Sequence, residues 1–417
     1  MIKQTIKNLI KASLPAGAMN AYRSFKALLG RKYISRMGAE PKIPFDKTAF
    51  PRGINLFGSF SQNSGLGQGC RLLAREIERS GVPHTFIDYA ASSGLNHDNH
   101  EFDGKYGTSC RYGVNVFQIN MHEMARAFCA MNRNIWRRHY NIAFWSWENE
   151  EFPEEWIPML SQLDEIWTPA EYDCISLRKV TARPVRSIPY IVDAPYDETA
   201  DRKFFRLPEN QFLFLMLFDY NSISERKNPF GAIRAFKDAF RPDAYEAGLV
   251  IKIANGSRQV LKEIDSVMKG YDVYFVNESL PKNRVNALIR CCDAYVSLHR
   301  AEGFGLVLAE AMLLGVPTIA TAYSANTEFQ DSSRACLVKY HLQKIGKNIY
   351  PYKKDYLWAE PDIHEAAEYM KKLRYDRAYY AAIRKNAADY MHDEERVKIP
   401  VQKIRAYLNE IYVNSGY

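Results

Sequence analysis

The stretch AEGFGLVLAEAMLLGVPTIATAYSANTE, residues 301 to 328, sets two carboxylates, Glu302 and Glu310, around a glycine-flanked turn that opens an apolar helix. DAYVSLH (293 to 299) precedes it as a buried strand does. Gly303 and Gly305 permit a tight loop, and LVLAEAMLL reads as a helix closed by Gly315-Val316-Pro317. A second strand, TIATAY, follows at once. In an open parallel sheet such a strand, loop and helix put free backbone N–H groups and the positive helix end at the carboxyl edge of the strands, where phosphates and nucleotides bind. Glu310 falls about one turn into the helix, near its mouth.

Outward from this stretch, strands alternate with helices as in doubly wound α/β domains. The first half opens with GINLFGSF (53 to 60), passes through the loop QNSGLGQG and enters the helix CRLLAREIERSG (70 to 81). Further strands are read at 84 to 89, 114 to 120, 140 to 147, 165 to 170 and 185 to 191. Pro184, Pro189, Pro195 and Pro208 mark a passage between domains. The second half runs FLFLMLFDY (212 to 220), LVIKIAN (249 to 255), VYFVNES (273 to 279), DAYVSLH and TIATAY. From 362 the text is helical, ending in a helix over 394 to 414.

At 417 residues and 47% hydrophobic, the chain suits two or three domains with two cores. Its longest uninterrupted candidate for a membrane span, 303 to 323, holds Glu310, several glycines and Pro317, and reads better as helix, turn and strand. No secretory signal is evident. Seven cysteines at 70, 110, 129, 174, 291, 292 and 336 show no metal-binding spacing, which suits a reduced cytoplasmic protein without structural metal. The net charge of +8 is concentrated: residues 1 to 40 carry eight lysines and arginines against the single acid Glu40. The remainder is close to neutral, which argues against a nucleic-acid groove.

Glu302, seven residues, then Glu310 resembles the E-x7-E signature of retaining glycosyltransferases, and EGFGLVLAEAMLLGVPTIAT resembles glycosyltransferase family 4 closely. The resemblance covers roughly residues 210 to 380. It implies the GT-B fold, two Rossmann-like doubly wound domains facing across a cleft. On that layout, 1–45 is a basic amphipathic segment, 46–205 an acceptor domain and 206–380 a nucleotide-sugar donor domain. Residues 381–417 are C-terminal helices, the last crossing back to the first domain.

The resemblance also implies roles. Lys227, in SERKNPFGAIRAFKDAF (224 to 240), matches the lysine that contacts the donor diphosphate, and a cation there would offset charge growing on the leaving group. The family's usual arginine position is Asn221 here, so Arg226 stands as a substitute. Positive charge at a helix start opposes the helix dipole, which asks for a functional reason. Glu302 would hold donor-sugar hydroxyls, Glu310 the ribose hydroxyls, and Gly303, Phe304 and Gly305 would present backbone N–H groups. Ser324 and Asn326 stand where many members carry a glycine pair, still leaving short side chains near the diphosphate. Gly65 and Gly67, in Gly65-Leu66-Gly67-Gln68-Gly69, resemble the glycine-rich first loop; the alternative is an ordinary strand-to-helix turn. His122 resembles a histidine placed near the transferred sugar, and the alternative is a structural hydrogen-bonder. Trp145 and Trp147 alternate as core residues do, while Glu148 and Glu150 are candidate contacts for acceptor hydroxyls. Lys252 reads as a buried-strand lysine reaching the cleft, with Asn255 beside it.

The expected activity is therefore metal-independent transfer of a sugar, with retention, from a nucleoside diphosphate (UDP or GDP) to a glycan or lipid-linked acceptor, in surface polysaccharide or glycolipid assembly. No resident cofactor is implied. A nucleotide-sugar epimerase would need further acids in the cleft, and a non-catalytic binding subunit would be expected to lack Glu302 or Lys227. At the N-terminus, Ile2, Ile6, Leu9, Ile10 and Leu14 recur at helical spacing between Lys3, Lys7 and Lys11. Such a helix could lie on an anionic membrane through residues 1–40 or pack on the protein's own surface, and the alternative to a helix is a disordered segment.

Overall fold

Asn55, Asn115 and Asn141 each take the second position of a strand, and their side chains join in a ladder. Asn55 Nδ2 donates to Asn115 Oδ1 (2.8 Å), Asn115 Nδ2 to Asn141 Oδ1 (2.9 Å), and Asn141 Nδ2 to the Trp136 carbonyl (2.7 Å). These buried amides satisfy one another and pin the register of three parallel strands. The computed structural model describes residues 30–89, 97, 99–219, 223–243, 245–254 and 258–414.

The first sheet holds β1 (Ile54–Gly58), β2 (His84–Asp88), β3 (Val114–Gln118), β4 (Tyr140–Phe144), β5 (Glu165–Thr168) and β6 (Val185–Ser187), all parallel, in the order β2-β1-β3-β4-β5-β6. Helices α1 (Gly65–Ser80), α2 (Met121–Ala130) and α3 (Glu171–Arg178) connect them. The second sheet holds β7 (Phe212–Asp219), β8 (Ala247–Ala254), β9 (Val273–Val276), β10 (Ala294–Ser297), β11 (Thr318–Thr321) and β12 (Cys336–Val338), again parallel, in the order β12-β11-β10-β7-β8-β9. Its helices are α4 (Ser224–Lys227), α5 (Pro229–Ala239), α6 (Arg258–Val267), α7 (Lys282–Cys291) and α8 (Leu306–Leu313). An antiparallel hairpin, β13 (Tyr340–Lys344) and β14 (Leu357–Pro361), precedes α9 (Ile363–Tyr375), α10 (Arg377–Met391) and α11 (Glu394–Asn414).

Strands buried on both faces read as continuous apolar runs, and FLFLMLF in β7 and GLVIKI in β8 are such runs. Phe214, Phe218, Leu249, Ile251 and Ile253 pack with Ile233 and Phe236 of α5, Ile264 of α6 and Met370 and Leu373 of α9. The strands read from sequence form as β1 to β11, most of them ending earlier than read. Hairpin β13–β14 and strand β12 were not anticipated.

Two compact units emerge: Met1–Trp147, Glu151–Ile191 and Lys398–Tyr417 in one, and Glu148–Glu150 with Val192–Val397 in the other. The division thus falls at 191/192, earlier than 205/206. Within the first unit, α11 is bound by Lys403 Nζ to the Ser187 carbonyl (2.9 Å) and by Arg405 Nε to the Ser80 carbonyl (2.6 Å). All seven cysteines are free thiols. Among the described residues, no helix is long and apolar enough to cross a membrane.

Glu76 of α1 is fully buried. Burial pushes its carboxyl up to about 8, against the opposing pull of the Ile191 N–H, which donates to Oε1, and of Arg79. In the folded chain it stays protonated between its ordinary 4.5 and about 8, whereas the unfolded chain ionises there, so stability is lost as pH rises through that window. Glu76→Gln keeps an acceptor for Ile191 and removes the ionisation. We expect its unfolding free energy in calorimetry to exceed that of the parent at pH 8, by a few kcal/mol at about 1.4 kcal/mol per pKa unit, and the gap to close towards pH 5. A gap independent of pH would mean that Glu76 ionises normally.

Candidate functional site

In the second sheet the strand order reverses between β7 and β10, and ligands of open α/β sheets bind outside the carboxyl ends at such a point. The loops after these two strands carry the basic pair and Glu302. After β7 the chain makes the single turn α4 and reaches Asn228, in the left-handed region at φ 50. Asn228 caps α5, its side chain accepting from the Gly231 N–H (3.2 Å), and Pro229 takes the first helical position. Arg226 and Lys227 therefore close α4 rather than open the following helix. The dipole penalty expected from the sequence does not arise, because the Asn228 cap starts α5 beyond them. Asn228 Nδ2 also donates to the Leu298 carbonyl (2.9 Å), tying this corner to the end of β10.

The two loops are laced by backbone. The Arg300 N–H donates to the Arg226 carbonyl (2.7 Å), Arg226 Nη1 to the Ala301 carbonyl (2.7 Å) and Arg300 Nη1 to the Glu225 carbonyl (2.6 Å). Glu302 is thereby presented to both cations. Lys227 Nζ donates to its Oε2, and Arg226 Nη1 lies 3.6 Å from the same oxygen. Burial pushes the Glu302 carboxyl up, but the charges of Lys227 and Arg226 outweigh it and hold the group at about 2. Arg226 stays charged although burial opposes it, because Glu148 (3.1 Å from Nε), Tyr352 and Glu302 surround it. Glu148 belongs to this second unit. It accepts a hydrogen bond from the Tyr352 hydroxyl, so it is engaged by protein groups rather than open to an acceptor as the sequence suggested.

A third loop, after β11, completes the floor. Ser324 Oγ accepts from the Glu302 N–H (2.8 Å), and the Ala325 N–H donates to the Glu302 carbonyl (3.2 Å). Asn326 is fully buried; its Nδ2 donates to the Thr321 carbonyl (3.0 Å) and to Gln330 Oε1 (2.9 Å), while Oδ1 faces His299 Nε2 (3.0 Å). Its side chain is spent on the fold, which leaves a ligand only its backbone. Burial lowers the His299 pKa, keeping the imidazole neutral within this network. Gly305 caps α8 at φ 92, a conformation that favours glycine, and Phe304 packs on Phe329 at 5.4 Å between centroids. Gly303 is buried with them.

Glu310, expected near the mouth of the helix, is fully buried beneath Lys282 of α7, whose Nζ lies 2.5 Å from Oε2. Burial raises its pKa, and the Lys282 charge opposes that rise. Glu302 and Glu310 therefore differ in kind: one is held ionised, the other is pressed towards protonation. Lys252 is buried as read, with Nζ donating to the Glu278 carbonyl (2.7 Å). Asn221 and Asn255 lie outside the described residues.

In the first unit the order reverses between β1 and β3, and Gly65, Gly67 and His122 follow those two strands. The glycines were read as loop, yet α1 already begins at Gly65. Ser64 caps it, accepting from the Gly67 N–H (3.1 Å), and a Cβ on Gly67 would stand 2.2 Å from the Gln62 carbonyl oxygen. Gly67 is thus required for close backbone packing, whereas a Cβ on Gly65 would meet open space. Arg71, unnoticed in the sequence, is buried and holds this corner through the Phe60 (2.6 Å) and Gln62 (3.0 Å) carbonyls. His122 is the second residue of α2; its side chain lies outside the described part of the structure. Arg300, Lys282 and Tyr352 also escaped the sequence reading, since each acts through a partner distant along the chain. Among the described residues, no three His, Cys, Asp or Glu side chains group as a metal site.

A basic pair and a buried carboxylate at the switch point of a parallel sheet can be compared with known proteins. Residues 197–390 match the family Glycosyl transferases group 1. The match covers nearly all of the second unit's main segment and a little under half of the chain. The fold is GT-B, α/β with two parallel six-stranded sheets. HepE of Anabaena, solved in complex with UDP-glucose, is 13% identical, with 87% of this chain and 99% of that chain covered and a TM-score of 0.60. Sucrose-phosphate synthase of Thermosynechococcus elongatus is 14% identical, with 87% and 100% covered and a TM-score of 0.61. TarM of S. aureus, solved with UDP among its ligands, is 12% identical at a TM-score of 0.53, with 71% of this chain and 55% of that chain covered. The chain thus spans little more than half the length of TarM. No curated protein matches it.

Asn326→Ala would strand His299 and Gln330 in a buried network. We expect it to lower stability in urea unfolding by roughly 1–3 kcal/mol. A loss within a few tenths would show that the network is not formed.

Proposed function

We propose that the chain is a retaining, metal-independent glycosyltransferase that moves a sugar from a nucleoside diphosphate to a hydroxyl of a glycan or lipid-linked acceptor, in surface polysaccharide or glycolipid assembly. The observation that carries this reading is the meeting of Lys227, Arg226 and Glu302 at the carboxyl ends of β7 and β10. A nucleoside diphosphate gains negative charge as its bond to the anomeric carbon breaks, and a cation held close to that place offsets the growing charge. Lys227 would turn from Glu302 to the diphosphate, freeing the Glu302 carboxylate to accept from donor-sugar hydroxyls. Glu310 would take the ribose hydroxyls once Lys282 moves aside, and the backbone of Gly303, Phe304, Gly305, Ser324 and Asn326 would line the phosphates. Gly65, Gly67 and His122 would serve from the first unit. The acceptor hydroxyl attacks the face from which the diphosphate leaves. Its proton passes to the departing phosphate oxygen, so no side chain need act as base and configuration is kept.

No resident cofactor would be required, and UDP is the first nucleotide to try because TarM was solved with UDP and HepE with UDP-glucose. We place the protein in the cytoplasm, at the inner face of the membrane. There residues 1–40, most of which lie outside the described residues, would touch anionic lipid.

A thermal-shift screen of nucleoside diphosphates should give a Tm rise with UDP or GDP; none with either would defeat the reading. NMR of the product should show the donor's anomeric configuration, and an inverted product would exclude retention. Lys227→Ala should cut turnover about a hundredfold and donor affinity much less, since its charge matters most in the transition state. A mutant that changes only KM would assign Lys227 to uniform binding. Full-length protein should sediment with anionic but not zwitterionic liposomes and lose this when residues 1–40 are deleted; equal sedimentation by both forms would rule that segment out.

A further inference from the structure

The hairpin β13–β14 and the loop between its strands reach the four-residue turn α4 at three points. Lys347 Nζ lies 2.8 Å from Glu225 Oε1. Glu360 of β14 accepts from Arg300 Nε (2.5 Å), and Arg300 in turn donates to the carbonyls of Glu225 and Arg226. The Tyr352 hydroxyl donates to Glu148 Oε1, the oxygen that faces Arg226 Nε at 3.1 Å. Tyr352 is only 4% exposed, and Ile345 and Tyr356 are buried near it in the chain, so the loop is anchored where it meets the cluster.

The two cations of α4 are held very differently. Arg226 donates to the Ala301 carbonyl and stands between two carboxylates, Glu148 and Glu302, with its side chain 11% exposed. Lys227 is 25% exposed, and its ammonium is paired with Glu302. Withdrawing the guanidinium would leave half-buried Glu148 with no cation and Glu302 with Lys227 alone, whereas Lys227 faces one carboxylate and on leaving it Glu302 would still face Arg226.

We propose that Tyr352 and Glu148 are positioning residues that fix Arg226 behind Glu302, so that Lys227, and not Arg226, is the cation released to the diphosphate. The assignment rests on the transferase reading of this site. Arg226 then keeps Glu302 ionised after Lys227 has turned away, at the moment when Glu302 must accept from the sugar. Without a fixed Arg226, a buried Glu302 deprived of Lys227 would be pushed towards protonation and lose that capacity.

The test separates the two claims. In protein labelled with 15N-arginine, the Arg226 Nε–H signal is identified by its loss in Arg226→Lys. Tyr352→Phe deletes the hydroxyl and keeps the ring, and Glu148→Gln deletes the charge and keeps the shape. Both should make Nε–H exchange at least about tenfold faster. In Tyr352→Phe, kcat should fall about tenfold with donor KM within threefold. In calorimetry the UDP or GDP affinity of Tyr352→Phe and Arg226→Lys should stay within threefold of the parent, whereas Lys227→Ala weakens it more. Unchanged Nε–H exchange in Tyr352→Phe would overturn the proposal. So would a loss of nucleotide affinity in Arg226→Lys as large as in Lys227→Ala, which would make Arg226 a phosphate ligand. If the parent protein binds neither nucleotide, the transferase reading fails, and the exchange rates alone decide whether Tyr352 positions Arg226.

Discussion

Glu302 carries a carboxylate into a place where 16% of its side chain meets solvent, and it remains charged there only because cations come to it from another loop. Much of the second unit's upper edge follows from that need. The loops after β7 and β10 are laced through Arg226, Ala301, Arg300 and Glu225, and the loop after β11 joins through Ser324 and Ala325. Two cations, Lys227 and Arg226, thus offset two carboxylates, Glu302 and Glu148. On the proposed reading, a ligand would need negative charge to draw Lys227 from Glu302, so the ion pair would favour anions.

Both sheets place their candidate residues by the same rule. In each, the chain leaves one central strand to build one flank and later returns beside it to build the other. The carboxyl ends of β1 and β3 in the first unit, and of β7 and β10 in the second, are left with loops that diverge, so side chains and helix starts collect there. The asparagine ladder of β1, β3 and β4 lies at the opposite ends of its strands. Register is fixed at one edge of the sheet, and the other edge is free to carry loops.

Long apolar runs made the strands legible, and Glu302 and Lys227 were legible because their neighbours resemble a known pattern. What escaped was pairing across distance. Arg300 and Glu360 are 60 residues apart, and Glu148 and Tyr352 are 204 apart; neither distance leaves a periodic trace in the sequence. The start of α1 was misread for a local reason. Glycines at 65, 67 and 69 resemble a loop, yet Ser64 supplies the cap and Gly67 is small to clear a carbonyl, both compatible with helix. The basic pair was misplaced for a similar reason, since Asn228 in a left-handed conformation ends one helix and caps the next within a single residue. Hairpin β13–β14 has short strands, and β13 is mostly exposed and polar, so no apolar run announced it.

Glu302 and Glu310 are one spacing motif in the sequence and two chemical groups in the fold. The loop residue meets two cations and is held near 2, while the helix residue meets one lysine and is fully buried, so its pKa rises instead. Spacing alone could not have separated them, because the difference lies in what α4 and α7 bring. Environments that push two carboxyl groups apart assign them different work. Held at about 2, Glu302 is ionised above that pH and able to accept from hydroxyls. Only Lys282 is seen to oppose the burial that raises the Glu310 pKa, so any ligand that displaces that lysine must supply donors of its own, and a vicinal diol offers two hydroxyl donors to one carboxylate. On the proposed reading, the geometry that hides Glu310 from solvent would therefore also restrict it to a ligand able to replace the ammonium it gives up.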